Sequence, residues 1–409
     1  MKQRGIVVLG PAWYSCGSYE VFKRQMECCR ALGLKTYFLA VSAILGISEA
    51  SSGYWNYYDS MTTDLDSDFR GHTGRKRNPF THKAFWTEVL PGMPRSLSHW
   101  RTFPSRLSNI PRSLISFINE HDIDTVICHH FFNVPLAKRI QQYIPNSQLL
   151  LETQDLQSRH MYEGGGKHPL FRRGSSFETL LADEIHIARQ ADVLIHYNED
   201  ETAEFTKYVP DRRHITIFPA APRNYQTPAA APAEENVFDF LIVASGNDPN
   251  YNSLCWFLRD VWSPELDARF KLKIVGNVDV LFPMRGEPLY DQYRHCFLGR
   301  VQDLAELYRA ARYVLLPVTQ GHGIAIKTVE ALSFGKHIVA MPLAYRGYQD
   351  RVPADLQAER VLSAQEFRDR LLTLNTAGPP QQDPRTAALY ETLFSPEKQL
   401  EIYRGLLIH

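Results

Sequence analysis

The chain is poor in several features that would narrow its class. It has six cysteines in 409 residues and no C-x-x-C spacing, which argues against a zinc ribbon or a dithiol redox pair. Thiols scattered this way suit a reducing compartment, so a cytoplasmic location is expected. No stretch approaches the ~18 uncharged apolar residues that a membrane span needs. Net charge is also missing: 45 Lys and Arg balance 45 Asp and Glu. A generally basic, nucleic-acid-binding chain is therefore not expected. The apolar run near the N-terminus, IVVLG, is short and reads as a first buried strand rather than a signal-peptide core.

What the sequence does have is alternation of strand-like and helix-like runs. Residues 5–10 (GIVVLG) read as a buried strand. A turn with Cys16-Gly17-Ser18 follows, then a helical pattern over residues 19–32 ended by Gly33, then a second strand at 35–41. Further strand-like runs are 124–128 (DTVIC), ending at His129-His130, and 148–152 (QLLLE), followed by Thr153-Gln154-Asp155. Residues 193–196 and 215–218 close the first half. In an open parallel sheet the loops after the strand C-termini build the site, which singles out Gly17, Ser18, His129, His130 and Asp155.

Residues 51–112 break this pattern with aromatic residues interleaved among basic ones. From Arg70 to Arg112 nine Lys and Arg face a single acid, Glu88. Two readings stay open: a solvated excursion packed on its domain, or a face for an anionic surface such as lipid head groups or a diphosphate.

Residues 219–236 (PAAPRNYQTPAAAPAEEN) hold four prolines and many alanines, and read as a linker. The α/β pattern then restarts at 238–244, 270–275 and 296–298, with helical runs at 252–261 and 304–311. Its most informative stretch is QGHGIAIKTVEALSFG, residues 320–335, between strand-like runs at 313–318 and 337–341. Strand, glycine turn, helix and strand form a unit whose free N–H groups suit a phosphate. Lys327 adds a mobile positive charge, and Glu330, one turn on, can accept hydrogen bonds from ribose hydroxyls. Two α/β halves with a ligand between them are the expectation, divided into 1–218, the linker 219–236, 237–384 and a helical tail over 385–409 that could pack back on the first half.

Taken in order, these segments resemble the family-4 glycosyltransferases (glycosyl transferases group 1), whose fold is the two-Rossmann-domain type called GT-B, with the domains facing across a cleft. FLGRVQDL (residues 297–304) resembles the Gly-Arg-Val turn under the nucleotide base, with Asp303 as a helix cap. GHGIAIKTVEAL resembles the diphosphate loop and helix, and NYNSLCWFL (residues 250–258) the first helix of the donor domain. In the first half, Gly17-Ser18-Tyr19-Glu20, the strand ending at His129, ETQDLQSR (residues 152–159) and the Glu184 to Glu201 stretch are similar to the family's pattern.

The resemblance implies sugar transfer from a nucleotide-sugar donor to a glycan or lipid-linked acceptor, with anomeric retention, no metal and no cofactor. It implies donor contacts at Gly299, Arg300, Val301, His322, Gly323, Ile324, Ala325, Ile326, Lys327 and Glu330. His129, Lys327 and Glu330 would form the catalytic set, with Gly17, Ser18, His130 and Asp155 on the acceptor side. The basic, aromatic run makes residues 70–112 a candidate peripheral membrane contact at the inner face of the cytoplasmic membrane, and nucleic acid is not expected because no recognition motif accompanies the charge. Two positions depart from the pattern. The usual Glu eight residues before Glu330 is His322, and the Arg often found two residues before the lysine is Ala325. These departures keep a non-catalytic glycosyltransferase-like partner in play, and a GT-B nucleotide-sugar epimerase stands as a second enzyme class.

Overall fold

The computed structural model describes residues 2–11, 17–41, 65, 67–73, 80, 83, 85–92, 102–164, 176–221, 237–301, 303–321 and 323–408. Statements below about what is present or absent concern these residues. Cys16, His322, the expected linker from 222 onward and much of the 51–112 excursion lie outside them. The chain divides into two units, one of Met1–Phe218 with Gln399–His409, the other of Pro219–Lys398.

The first unit is built on a seven-stranded parallel sheet. In chain order its strands are β1 (Arg4–Pro11), β2 (Lys35–Val41), β3 (Phe69–His72), β4 (Asp122–His129), β5 (Gln148–Glu152), β6 (Val193–His196) and β7 (Arg213–Thr216). In space they run β3-β2-β1-β4-β5-β6-β7, so the order reverses between β1 and β4. The central strands are apolar on both faces, as a sheet covered by helices on both sides requires. Helix α1 (Gly17–Ala31) packs Phe22 and Met26 on one face, and the opposite face is filled by residues such as Leu136 and Leu151. Register pairs His129 with Glu152 across β4 and β5, a juxtaposition that matters below.

β3 has no counterpart in the sequence reading. Its residues FRGH are half-buried or exposed and show neither an apolar run nor alternation. Backbone pairing with β2 alone makes it a strand, as suits the edge of a sheet.

The second unit has a five-stranded parallel sheet of β8 (Phe238–Val243), β9 (Leu272–Val275), β10 (Phe297–Gly299), β11 (Ala311–Leu316) and β12 (His337–Ala340). Their order, β10-β9-β8-β11-β12, reverses between β8 and β11. Helix α2 (Asp248–Trp256) follows β8, α3 (Ala305–Ala310) precedes β11, and α4 (Ile326–Ser333) joins β11 to β12. Two helices end the chain, α5 (Pro384–Leu393) and α6 (Pro396–Leu407). The second half of α6 belongs to the first unit: Tyr403, Leu406 and Leu407 enter its core, and Arg4 and Gln148 donate to the carbonyls of Leu407 (2.9 Å) and Leu406 (3.3 Å). The expected tail is thus shared, with α5 on the second unit.

Gly276 follows β9 with φ +119°, and a Cβ there would stand 2.1 Å from the carbonyl oxygen of Ala244. Both the dihedral and the contact demand glycine. Gly276→Ala should therefore destabilise the second unit by about 2 kcal/mol or more. Urea unfolding would show this as a lower midpoint; an unchanged midpoint would mean that the turn can relax.

Candidate functional site

The second unit gathers polar groups at the C-terminal edge of its sheet, where the strand order reverses. Between β11 and α4 the chain passes Gly321 (φ +132°) and Gly323 (φ +60°), conformations that L side chains rarely adopt. Helix α4 then begins with Ala325 as its N-cap residue, and no side chain caps it. A helix start usually draws on Ser, Thr, Asp or Asn to satisfy its first N–H groups. Its absence here suits a cap supplied by an anion. The helix closes at Gly335 (φ +59°), whose N–H donates to Leu332 O.

Lys327 and Glu330 project from the first turns of α4, and each is held by a neighbour. Lys327 Nζ donates to Asn250 Oδ1 at 2.6 Å. Burial and then the charge of Arg346 lower its pKa to about 8, against the opposing pull of Glu330. Glu330 is nearly buried, and its Oε2 accepts from the hydroxyl of Tyr308 at 2.8 Å. Tyr308 belongs to α3, is fully buried and stacks on Phe334, which fixes the carboxylate from below. Neither Asn250 nor Tyr308 was assigned a site role from the sequence, where Asn250 marked only a helix start.

The polar edge continues through the neighbouring loops. Asn250 is locked in the first turn of α2, its amide donating to Ser245 O and its backbone to the N-cap Asn247. Asn252 and Ser253 of α2 bond Gln320 and Thr319, which pins the glycine turn to this helix. Asn277 accepts from Gly246 N–H at 2.6 Å, and Gly276 N–H donates to Gly299 O at 2.9 Å. Gly299 has φ +69° and lies beside the carboxylate of Asp279. Arg300 is exposed, and Val301, like Ile324 and Ile326, is half-buried. Asp303 accepts from Ala305 N–H at 2.8 Å, but it is not the expected cap: the N-cap residue of α3 is Leu304, and no side chain caps it. The fold thus sets Gly299, Arg300, Val301, Gly323, Ile324, Ala325, Ile326, Lys327 and Glu330 along one sheet edge.

In the first unit the polar cluster lies at the corresponding edge, but its arrangement differs from expectation. His129, expected to touch the donor sugar, has no exposed surface. Its Nε2 meets Gln25 Oε1 at 2.9 Å, its Nδ1 meets Gln154 Nε2 at 3.0 Å, and Phe22 packs against its ring. In this arrangement the imidazole would reach a ligand through its bonded neighbours or by moving. His130 is also buried, stacked on Phe132, with backbone φ +64° and ψ 139°. Gln154 has φ +67°. Two strained non-glycine residues, each costing about 1–3 kcal/mol, thus follow adjacent strands β4 and β5.

Glu152 sits at the centre of this network. Its Oε1 accepts from Gln25 and from the Tyr403 hydroxyl, and its Oε2 lies 3.1 Å from His129 Nδ1. Burial pushes its pKa to about 8, against the opposing effect of those two hydrogen bonds. The same burial keeps His129 well below the ordinary histidine range. Burial thus favours a carboxylic acid beside a neutral imidazole over an ion pair.

Asp155 stands beside two further buried acids, Glu184 and Glu201, and its charge helps raise both, to about 7 and about 8, after burial. Glu184 accepts the N–H groups of Gln157 and Ser158 and caps the helix Gln157–Gly164. Arg159 donates to both oxygens of Glu204, so its carboxylate partner is on the helix Glu199–Tyr208. Gly17 and Ser18 open α1 after β1. Asp-x-Asp spacings occur at Asp64 to Asp68 and at Asp122 to Asp124. Asp124 stands at the opposite edge of the sheet, paired with Arg4, and Asp68 bonds Lys35 and Thr36.

Residues 238–374 match the family model Glycosyl transferases group 1. The match makes this stretch similar to a glycosyl transferases group 1 domain. It holds every donor-side residue described above. Among curated proteins none matches the chain in sequence. Solved structures match it over nearly its whole length. Sucrose-phosphate synthase from Thermosynechococcus elongatus has a TM-score of 0.63 at 16% identity, covering 99% of each chain. HepE from Anabaena, in complex with UDP, has 0.62 at 13%, covering 98% of this chain and 99% of that one. A glycosyltransferase from Rickettsia africae has 0.63 at 13%, covering 100% and 99%. The fold is GT-B.

The buried acid at Glu152 generates a stability prediction. A carboxyl whose pKa is higher folded than unfolded binds its proton more tightly when folded, so stability falls as pH rises between the two values. For Glu152 that window runs from about 4.5 to about 8. The buried imidazoles of His129 and His196 are lowered instead, so they oppose it only below about 6.5. Between pH 6.5 and 8 the wild type should lose stability, and Glu152→Gln should lose less. Urea denaturation at the two pH values measures both slopes; equal slopes would mean that Glu152 is ionised in the folded protein.

Proposed function

We propose that the protein transfers a sugar from a nucleotide-sugar to an acceptor hydroxyl, with retention at the anomeric carbon and without a metal. The observation that carries this reading is the uncapped start of α4 behind two positive-φ glycines, with Lys327 beside it. Backbone N–H groups near Ile324 to Ile326 and the Lys327 ammonium would take up the charge that develops on the leaving diphosphate. Glu330, held by Tyr308, would accept from the ribose hydroxyls. The turn at Gly299, Arg300 and Val301 would pass under the base. In this scheme the acceptor hydroxyl attacks on the side from which the diphosphate departs, with a phosphate oxygen as its base. The protein supplies charge stabilisation and positioning, not a nucleophile.

Solved HepE complexes, with UDP, with UDP and glucose and with UDP-glucose, support a nucleotide-sugar donor by fold analogy. A glycan or lipid-linked acceptor is part of the proposal. Its support is a cluster of exposed apolar side chains, Phe80, Trp86 and Leu90, next to exposed Lys83. Aromatic and basic side chains of this kind suit the interface of an anionic membrane. No helix among the described residues is long and apolar enough to cross one.

Two outcomes follow. A thermal-shift panel of UDP, GDP and ADP should single out one diphosphate. Lys327→Met should weaken it by about 10- to 100-fold and Glu330→Gln by a smaller factor, read by calorimetry. Undiminished affinity in both variants would sink the site assignment. Binding to vesicles of anionic lipid should fall on Trp86→Ala and on raising the salt concentration; partition indifferent to both would remove the membrane role.

A further inference from the structure

The sequence pattern leaves the diphosphate loop short of one cation, because Ala325 stands where an arginine often stands. The structure brings an arginine to the same place from elsewhere in the chain. β12 is the neighbour of β11, so the loop that follows it lies next to the glycine turn. That loop forms a tight turn over Pro342–Tyr345 and then presents Arg346. Its base is fixed: Arg346 Nη1 donates to Leu343 O at 3.1 Å, and the buried Tyr345 and Tyr348 flank it. The hydroxyl of Thr328, in the first turn of α4, donates to Ala344 O at 2.9 Å and ties the helix start to this loop. The Arg346 guanidinium packs against the α-carbon of Gly321. A Cβ at Gly321 would stand 3.1 Å from Nη2 and 3.4 Å from Cζ, so glycine makes room for the cation as well as for the turn.

We propose that Arg346 grips the donor diphosphate together with Lys327, supplying from the β12 loop the guanidinium absent at Ala325. The proposal rests on the nucleotide-sugar reading and adds to it a binding residue on another element. The charged groups that face Lys327 are Arg346 and Glu330, and the positive one is the stronger influence, helping hold the ammonium's pKa near 8. The two cations repel each other, and a diphosphate between them relieves that repulsion. A guanidinium adds what an ammonium lacks, a planar fork that can bond two phosphate oxygens at once.

The test compares wild type, Arg346→Met and Arg346→Lys for binding of UDP, GDP and ADP, and of the matching nucleoside by ligand-observed NMR. Arg346→Met should lose about 10- to 100-fold in diphosphate affinity while nucleoside affinity changes by less than about 2-fold. Arg346→Lys should recover part of the loss. The fall in wild-type diphosphate affinity as Lys327 deprotonates at alkaline pH should move to higher pH in Arg346→Met, where the ammonium has lost its positive neighbour. Equal losses for nucleoside and diphosphate would make Arg346 a support of the turn and overturn the proposal, as would undiminished diphosphate binding. Either result leaves the donor reading standing if wild type binds the diphosphate. Wild type that binds none of the three overturns both. If Arg346→Met does not fold, Arg346→Gln carries the same comparison.

Discussion

Two positive charges, Lys327 and Arg346, placed near one another with the Glu330 carboxylate beside Lys327, set the terms for the second unit. Such an arrangement is unfavourable by itself, and the fold maintains it by building each cation into a separate rigid element. Lys327 is tethered by Asn250 from the helix after β8, and Arg346 is braced by the turn after β12. Parallel pairing of β8, β11 and β12 brings these distant segments to one edge. The order reversal between β8 and β11 opens the space in which a ligand can meet them. The glycines at 321 and 323, the start of α4 with no side-chain cap and the Tyr308 support beneath Glu330 belong to the same stretch of that edge.

The first unit solves a different problem, the burial of titratable groups. Glu152 and His129 are brought side by side by strand register and closed off by Gln25, Gln154, Phe22 and Tyr403. Burial works against charge on either group, and hydrogen bonds to Gln25, Gln154 and Tyr403 hold the cluster together. The strained backbone at His130 and Gln154 follows immediately after the same two strands. Strain at adjacent strand ends is a mark of positions constrained by more than packing.

The sheets were largely legible in the sequence because buried parallel strands are written as short apolar runs, such as VLIH at β6 and QLLLE at β5. The glycine turn and helix at residues 320–335 were legible for the same local reason. β3 was not, since an edge strand can be made by backbone pairing with no apolar signal. Arg346, Asn250, Tyr308 and Tyr403 were not legible as partners. Each meets its partner across 19 or more positions of chain, and only strand order and helix docking decide which distant residue arrives. His129 shows the converse: its place at a strand end was readable, but its enclosure depends on helices α1 and α6, which sequence periodicity does not orient.

The docking of α6 has a consequence for how the molecule comes to exist. The first unit is discontinuous, leaving off at Phe218 and resuming at Gln399, and Tyr403 bonds Glu152 across 251 positions. The second unit is a single uninterrupted stretch. During synthesis the later unit can therefore complete its core while the earlier one still waits for its last helix, so the order of completion inverts the order of translation. Until residue 407 has emerged, the floor of the first sheet and the buried acid at Glu152 lack their closing partner, and the nascent chain must keep that apolar surface from wrong contacts.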